Sequence, residues 1–197
     1  MVVSIQKEKR MKVLTPVGKV RSGREYRIAK RLNTLQNRTI GFLDNTKPNA
    51  DVFLRRIKEL IEKQYEIDSI WRRKHSASNP AHKKLIGELV KECDAVVIAH
   101  GDCGSCTAWT IDDGITLEKE GVPTATICSS EFAPLGQYAA QARGMPGLPI
   151  PSFPHPSGGL PPEEVRKKAE HTIDEVIYVL TTPAEKLERE YREKYLR

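Results

Sequence analysis

The run AVVIAH at residues 95–100 passes without a break into Gly101-Asp102-Cys103-Gly104-Ser105-Cys106, and no other junction constrains the fold as strongly. An almost unbroken apolar stretch of this length suits a strand covered on both faces, as interior strands of parallel sheets are. Gly101 and Gly104 permit a tight exit from the strand. The residues that follow, TAWTIDDGITLEKEG, then read as a helix with Gly121 at its C-cap.

The same strand, loop, helix order repeats along the chain. TIGFLDN at 39–45 is a short strand closed by Asp44, Asn45 and Pro48, and DVFLRRIKELIEKQY carries Val52, Phe53, Ile57, Leu60, Ile61 and Tyr65 at helical spacing. Asn49 or Asp51 is the expected cap of that helix. A more polar strand falls around Ile67–Trp71, and a helix begins at Pro80 with Leu85, Ile86 and Leu89 on one side. VPTATICSS at 122–130 is another strand and FAPLGQYAAQARG another helix. LPIPSFPHPSGGLPP holds too much proline and glycine for a helix and reads as an ordered loop or edge segment. PPEEVRKKAEHTIDEVIYVLT resumes the helical pattern, and a charged helix closes the chain.

This order predicts an α/β fold: an open, mostly parallel sheet with helices on both faces, a Rossmann-like or flavodoxin-like three-layer sandwich. Its ligand crevice is expected outside the carboxyl ends of the strands. Three parts are expected: a basic arm over 1–38, the α/β domain over 39–180 and a terminal helix over 181–197. No internal repeat or second core is visible.

The net charge of +6 divides unevenly. Residues 1–38 hold 11 of the 32 basic side chains and 2 of the 26 acidic ones, so the arm carries +9 and the remainder −3. The body therefore offers no broad positive surface, which argues against a nucleic-acid-binding domain. No run approaches the roughly 18 apolar residues that span a bilayer, and MVVSIQKEKR lacks a secretory signal's apolar segment. A cytoplasmic, membrane-free setting is expected. In that setting, four cysteines in 197 residues argue against a disulfide scaffold.

The cysteines are better read singly. Cys93 precedes the apolar run and reads as a buried helix end. Cys103 and Cys106 lie where backbone N–H groups and the helix dipole favour a thiolate, with Cys103 in the turn as the attacking sulfur and Cys106 in the first helical turn as the resolving one. His100 and Asp102 flank the glycine as a base and the group that orients it or modulates the thiols. On the same sheet edge, Asp44, Asn45, Lys47, Ser105, Thr107, Ser129 and His155 are candidate substrate contacts. Each also has a plain structural use in turns, caps or packing. Cys128 ends the next strand as a third thiol, a ligand or a core residue, and Cys103, Cys106, Cys128 and His100 form an alternative ligand set for zinc or another transition metal.

GFLDNTKPNAD followed by GDCGSCTAWTIDDG resembles the proteins and domains named for a selenocysteine-Gly-Ser-Cys motif, the UGSC motif, over most of residues 38–180. Cys103 takes the selenocysteine position, making this a cysteine-containing form. The chain is also similar, more distantly, to the selenoprotein B type subunits of glycine, sarcosine and betaine reductases. The resemblance implies that position 103 is a nucleophilic redox centre, that Cys106 is its partner, and that Asp44 and Asn45 belong to the opposing pocket wall.

The expected activity is that of a thiol-dependent oxidoreductase acting on a small electrophilic or oxidised substrate, restored by an external thiol or protein-disulfide reductant. No dinucleotide or nucleoside triphosphate signature points to an intrinsic cofactor. The alternatives are a metal-dependent lyase or hydrolase and a noncatalytic subunit of a larger complex. The elongated, charged terminal segments suit a homo-oligomer or a place in such a complex.

Overall fold

In a computed structural model of the chain, the structure describes residues 25–196. Five strands and six helices follow in the order β1 (Arg38–Asp44), α1 (Ala50–Glu62), β2 (Ile67–Arg73), α2 (Lys83–Glu92), β3 (Ala95–Gly101), α3 (Gly104–Lys119), β4 (Thr124–Ser129), α4 (Ala133–Ala142), β5 (Ser152–Phe153), α5 (Pro162–Thr181) and α6 (Ala184–Tyr191). All strand pairs are parallel, and the sheet order is β2-β1-β3-β4-β5. This is the doubly wound order of flavodoxin-like folds. Helix α1 packs with α5, and α3 packs between α2 and α4, so the sheet is covered on both faces.

The burial of β3 explains its composition, because all seven of its residues are enclosed. Phe42, Phe53, Ile57, Val97, Val176 and Phe153 belong to the larger core, while Leu43, Ile86, Leu89, Val96 and Ile98 form the core beneath α2. Cys93 ends α2 inside that second core, as the sequence predicts, and its sulfur lies so near Gly41 that a Cβ there would stand 2.8 Å from it. Among the described residues, no helix is long and apolar enough to cross a membrane.

Several local expectations change. Asn49 occupies the N-cap position of α1, yet its side chain makes no cap bond. It donates instead to the carbonyls of Ser157 and Leu160, at 2.8 and 3.0 Å, and ties α1 to the loop after β5. The proline-rich segment contributes only the two-residue edge strand β5, flanked by Pro151 and Pro154, which lack the N–H needed to extend a ladder. The terminal helix is part of the domain, since Leu187 and Tyr191 of α6 belong to the main core.

The described part of the basic arm is also built into the body. Ile28 and Leu35 join the main core, and the Arg31 guanidinium, almost wholly enclosed, donates to Glu118 of α3 at 2.8 Å. Glu118 further accepts from the backbone N–H groups of Ala29 and Thr124, each at 2.7 Å. Residues 25–37 therefore correct the picture of an arm ending at 38; positions 1–24 lie outside the described residues.

Candidate active site at the cysteine turn

Strands β2 and β3 flank β1 on opposite sides, so the winding of the chain reverses between β1 and β3. Connections leave in opposite directions there and open a crevice beyond the carboxyl ends of the strands. Asp44 and Asn45 leave β1 at this edge, and Asp102 and Cys103 leave β3.

The turn depends on Gly101. A Cβ at that position would come within 2.6 Å of Thr107 Oγ1 and 2.8 Å of Cys128 Sγ, so a larger residue would push α3 away from the strands. Cys103 then caps α3, with Sγ accepting from the backbone N–H of Cys106 at 3.4 Å. Cys106 Sγ accepts from Asp102 N–H at 3.2 Å and donates to the Cys103 carbonyl at 3.4 Å. Gly104 has open space where a side chain would stand, leaving the start of the helix uncovered.

These surroundings separate the two thiols electrostatically. Burial pushes the Cys103 thiol up, but hydrogen bonds from the Cys106 side chain and backbone, the Lys47 charge and Ser105 outweigh it and hold its pKa below the ordinary cysteine range. Cys106 is enclosed, and burial together with its place as donor to Cys103 pushes it up to about 11. The partly exposed sulfur therefore ionises more readily than the buried one. Cys128 is wholly buried, and desolvation drives its thiol far above the ordinary range.

The loop after β5 closes one side of the crevice through Asp102. Asp102 Oδ2 accepts from Ser157 N–H at 3.1 Å, Gly158 N–H at 3.0 Å and Ser157 Oγ at 3.2 Å. Burial opposes ionisation of this carboxyl, but those backbone donors lead a set of contacts that keeps its pKa below the usual carboxylate range. Its Oδ1 lies 2.9 Å from His155 Nδ1, close but without a linearly aligned donor. The same imidazole nitrogen is 3.1 Å from Ser129 Oγ.

His100 departs from its expected role as a base. It is fully buried between Phe53 and Phe153, with ring centroids 5.7 and 5.3 Å away, and Nε2 hydrogen-bonds to Ser157 Oγ. Burial lowers its pKa to about 4, with Asp102 only partly opposing the shift. A neutral ring enclosed by two phenylalanines braces the loop and has no route to a substrate.

Asp44 and Asn45 are likewise corrected from substrate contacts to wall supports, because their side chains are enclosed and fully engaged. Asn45 donates to the His100 carbonyl at 2.9 Å and to Thr110 Oγ1 at 3.0 Å, while its own oxygen accepts from Lys47 N–H at 3.1 Å. Asp44 accepts from Thr46 N–H at 2.7 Å and lies 3.2 Å from Arg73. Burial raises its pKa, and those two neighbours only partly offset the rise. Thr107 and Ser129 are also fully enclosed, leaving Cys103, Ser105, Lys47 and His155 on the accessible side. Ser105 Oγ stands at the rim, 3.9 Å from Cys103 Sγ and 3.4 Å from Ser78 Oγ.

Among the described residues, no three His, Cys, Asp or Glu side chains are grouped so as to hold a metal ion. The alternative set Cys103, Cys106, Cys128 and His100 is therefore not assembled as one centre. Sequence reasoning also missed Ser157 and Gly158, which hold the Asp102 carboxylate beside Cys103. The only hint of them was their place in the proline-rich segment with His155. Lys74, another omission, forms a buried pair with Asp113 at 2.5 Å and anchors the loop that brings Ser78 to the rim.

The sequence model of the UGSC family matches residues 12–182. The chain belongs to the UGSC family. The cysteine turn and the crevice edge both lie within the matched span. No curated protein matches the chain. Among solved structures, a flavodoxin-like domain from Synechococcus sp. is similar at 12% identity, covering 73% of this chain and 98% of that one, with a TM-score of 0.38.

Proposed function

We propose that the protein is a thiol-dependent oxidoreductase in which Cys103 attacks a small electrophilic or oxidised substrate and Cys106 resolves the intermediate. The observation that carries this reading is the opposed chemistry of two sulfurs three residues apart. Cys103 is partly exposed at the crevice with a depressed pKa, whereas Cys106 is enclosed behind it with a raised one. One thiol is ready to attack while the other remains protonated until a bond forms at its neighbour.

With a disulfide substrate the electrons balance without a bound cofactor. The Cys103 thiolate bonds to one substrate sulfur and expels the other. Cys106 then attacks Cys103, forming the internal disulfide and releasing the second fragment. Two electrons pass from the cysteine pair to the substrate, and an external small thiol or protein dithiol restores the pair.

Intact-protein mass spectrometry of reduced protein exposed to a small disulfide tests the scheme. Cys106→Ser is expected to accumulate a mixed disulfide on Cys103, while the unaltered chain passes to the internal disulfide and shows a loss of two hydrogens. Cys103→Ser is expected to abolish turnover. Full consumption of the disulfide by Cys103→Ser, or no adduct in Cys106→Ser, would sink the proposal.

A further inference from the structure

We infer that His155 is the proton donor to the group that Cys103 displaces, held for that task by Asp102; the inference rests on the Cys103 chemistry proposed above. Its basis is the mounting of the ring. His155 Nδ1 faces the Asp102 carboxylate at 2.9 Å and Ser129 Oγ at 3.1 Å. Phe132 lies 5.6 Å from the ring centroid, and the His155 backbone N–H donates to Ser130 Oγ at 3.2 Å. The side chain nevertheless keeps 32% of its surface exposed.

Ser129 Oγ is hydrogen-bonded at Nδ1 and the Asp102 carboxylate stands beside the same nitrogen, which leaves Nε2 without a partner among the described residues. A carboxylate beside one imidazole nitrogen favours a proton there and leaves the other nitrogen for proton transfer, as a proton-transferring histidine requires. Asp102 immediately precedes Cys103, so the carboxylate and the nucleophile belong to adjacent residues, with Cα atoms about 3.8 Å apart. Three strands deliver the parts to one edge: β3 brings Asp102 and Cys103, β4 brings Ser129, and β5 leads to His155. His100 cannot do this work, because its ring is enclosed and its Nε2 is already hydrogen-bonded.

In the first step, the bond between Cys103 and a substrate sulfur forms as the substrate S–S bond breaks. The departing thiolate takes the Nε2 proton of the imidazolium form of His155 and leaves as a thiol. In the second step, Cys106 attacks Cys103, and its proton passes through the now neutral imidazole to the other departing sulfur. Solvent then reprotonates His155, and an external dithiol reduces the Cys103–Cys106 disulfide. Such a donor matters most for basic leaving groups, so the site is built for alkyl disulfides and similar electrophiles. An aryl thiolate departs readily without a proton.

The test compares single-turnover rates of the full chain with hydroxyethyl disulfide and with 5,5′-dithiobis(2-nitrobenzoate). In His155→Gln the alkyl-to-aryl rate ratio is expected to fall about 100-fold, the usual scale of a lost acid or base. In His155→Ala, added imidazole should restore part of the alkyl rate. Iodoacetamide labelling in the same variants reports Cys103 itself, because iodide leaves without a proton. An unchanged ratio in His155→Gln with Cys103 still labelled overturns the role of His155 alone. Disulfide turnover surviving in Cys103→Ser instead overturns the thiol reading beneath it.

Discussion

Strands β3 and β4 each deliver a cysteine to the same sheet edge, Cys103 just beyond Gly101 and Cys128 in direct register with that glycine. Their environments could hardly differ more. Cys103 looks onto the crevice, accepts a helix N–H and stands in the field of Lys47; Cys128 is sealed beneath the turn, where burial suppresses its ionisation. The tendency of a sulfur to ionise at this edge therefore depends on which side of the turn it occupies. One residue, Gly101, separates the two, touching both Cys128 and the first turn of the cysteine helix.

The largest break in the comparison is expected from serine at each position in turn. Cys103→Ser should abolish turnover and labelling by iodoacetamide, whereas Cys128→Ser should leave labelling intact. The latter should cost about 1–3 kcal/mol of stability, because it buries a hydroxyl among apolar neighbours. Labelling by mass spectrometry and thermal unfolding separate these effects, and strong loss of labelling in a folded Cys128→Ser protein would erase the distinction.

Gly101→Ala removes the partition between the sulfurs. The added methyl meets Thr107 Oγ1, Cys128 Sγ and the Thr107 Cα, so the turn must shift at a cost of about 1–3 kcal/mol. Labelling of Cys103 should slow in the same variant, because its helix cap moves. Normal stability together with normal labelling would show that the turn tolerates the group.

Lys47→Met should give the smallest effect, because a half-exposed charge is screened by solvent. The sign is nevertheless fixed. Lys47 lowers the Cys103 pKa, so removing it moves the midpoint of labelling against pH upward and leaves less thiolate at neutral pH. A modest, salt-sensitive fall in rate is expected. A midpoint that stays in place would assign the lowering to the helix cap, Cys106 and Ser105.

The sequence exposed those features whose cause is local. The apolar run of β3 announces a buried strand, the glycines announce its exit, and the spacing of Cys103 and Cys106 puts both sulfurs at a helix start. What stayed hidden depends on distant segments. Whether the His100 side chain faces the crevice or the core is decided by Phe53 and Phe153, which no pattern around residue 100 reveals. Ser157 lies 55 residues from Asp102, and no motif joins them. Asp44 and Asn45 sit at the end of β1, and their side chains are taken up by turn hydrogen bonds and by the His100 carbonyl across the sheet.

The Arg31–Glu118 pair sets a practical limit on dividing this chain. Its two side chains have only 1% and 0% of their surface exposed, although by charge count residue 31 belongs to a detachable basic tail. A fragment begun at β1 would keep the Glu118 carboxylate in the interior while discarding its cation, and breaking a buried pair in this way costs about 3–5 kcal/mol. It would also uncover the core surface sealed by Ile28 and Leu35. A truncated preparation intended to isolate the sheet and its cysteines should therefore start ahead of residue 25, or the thiols will be studied on a weakened scaffold.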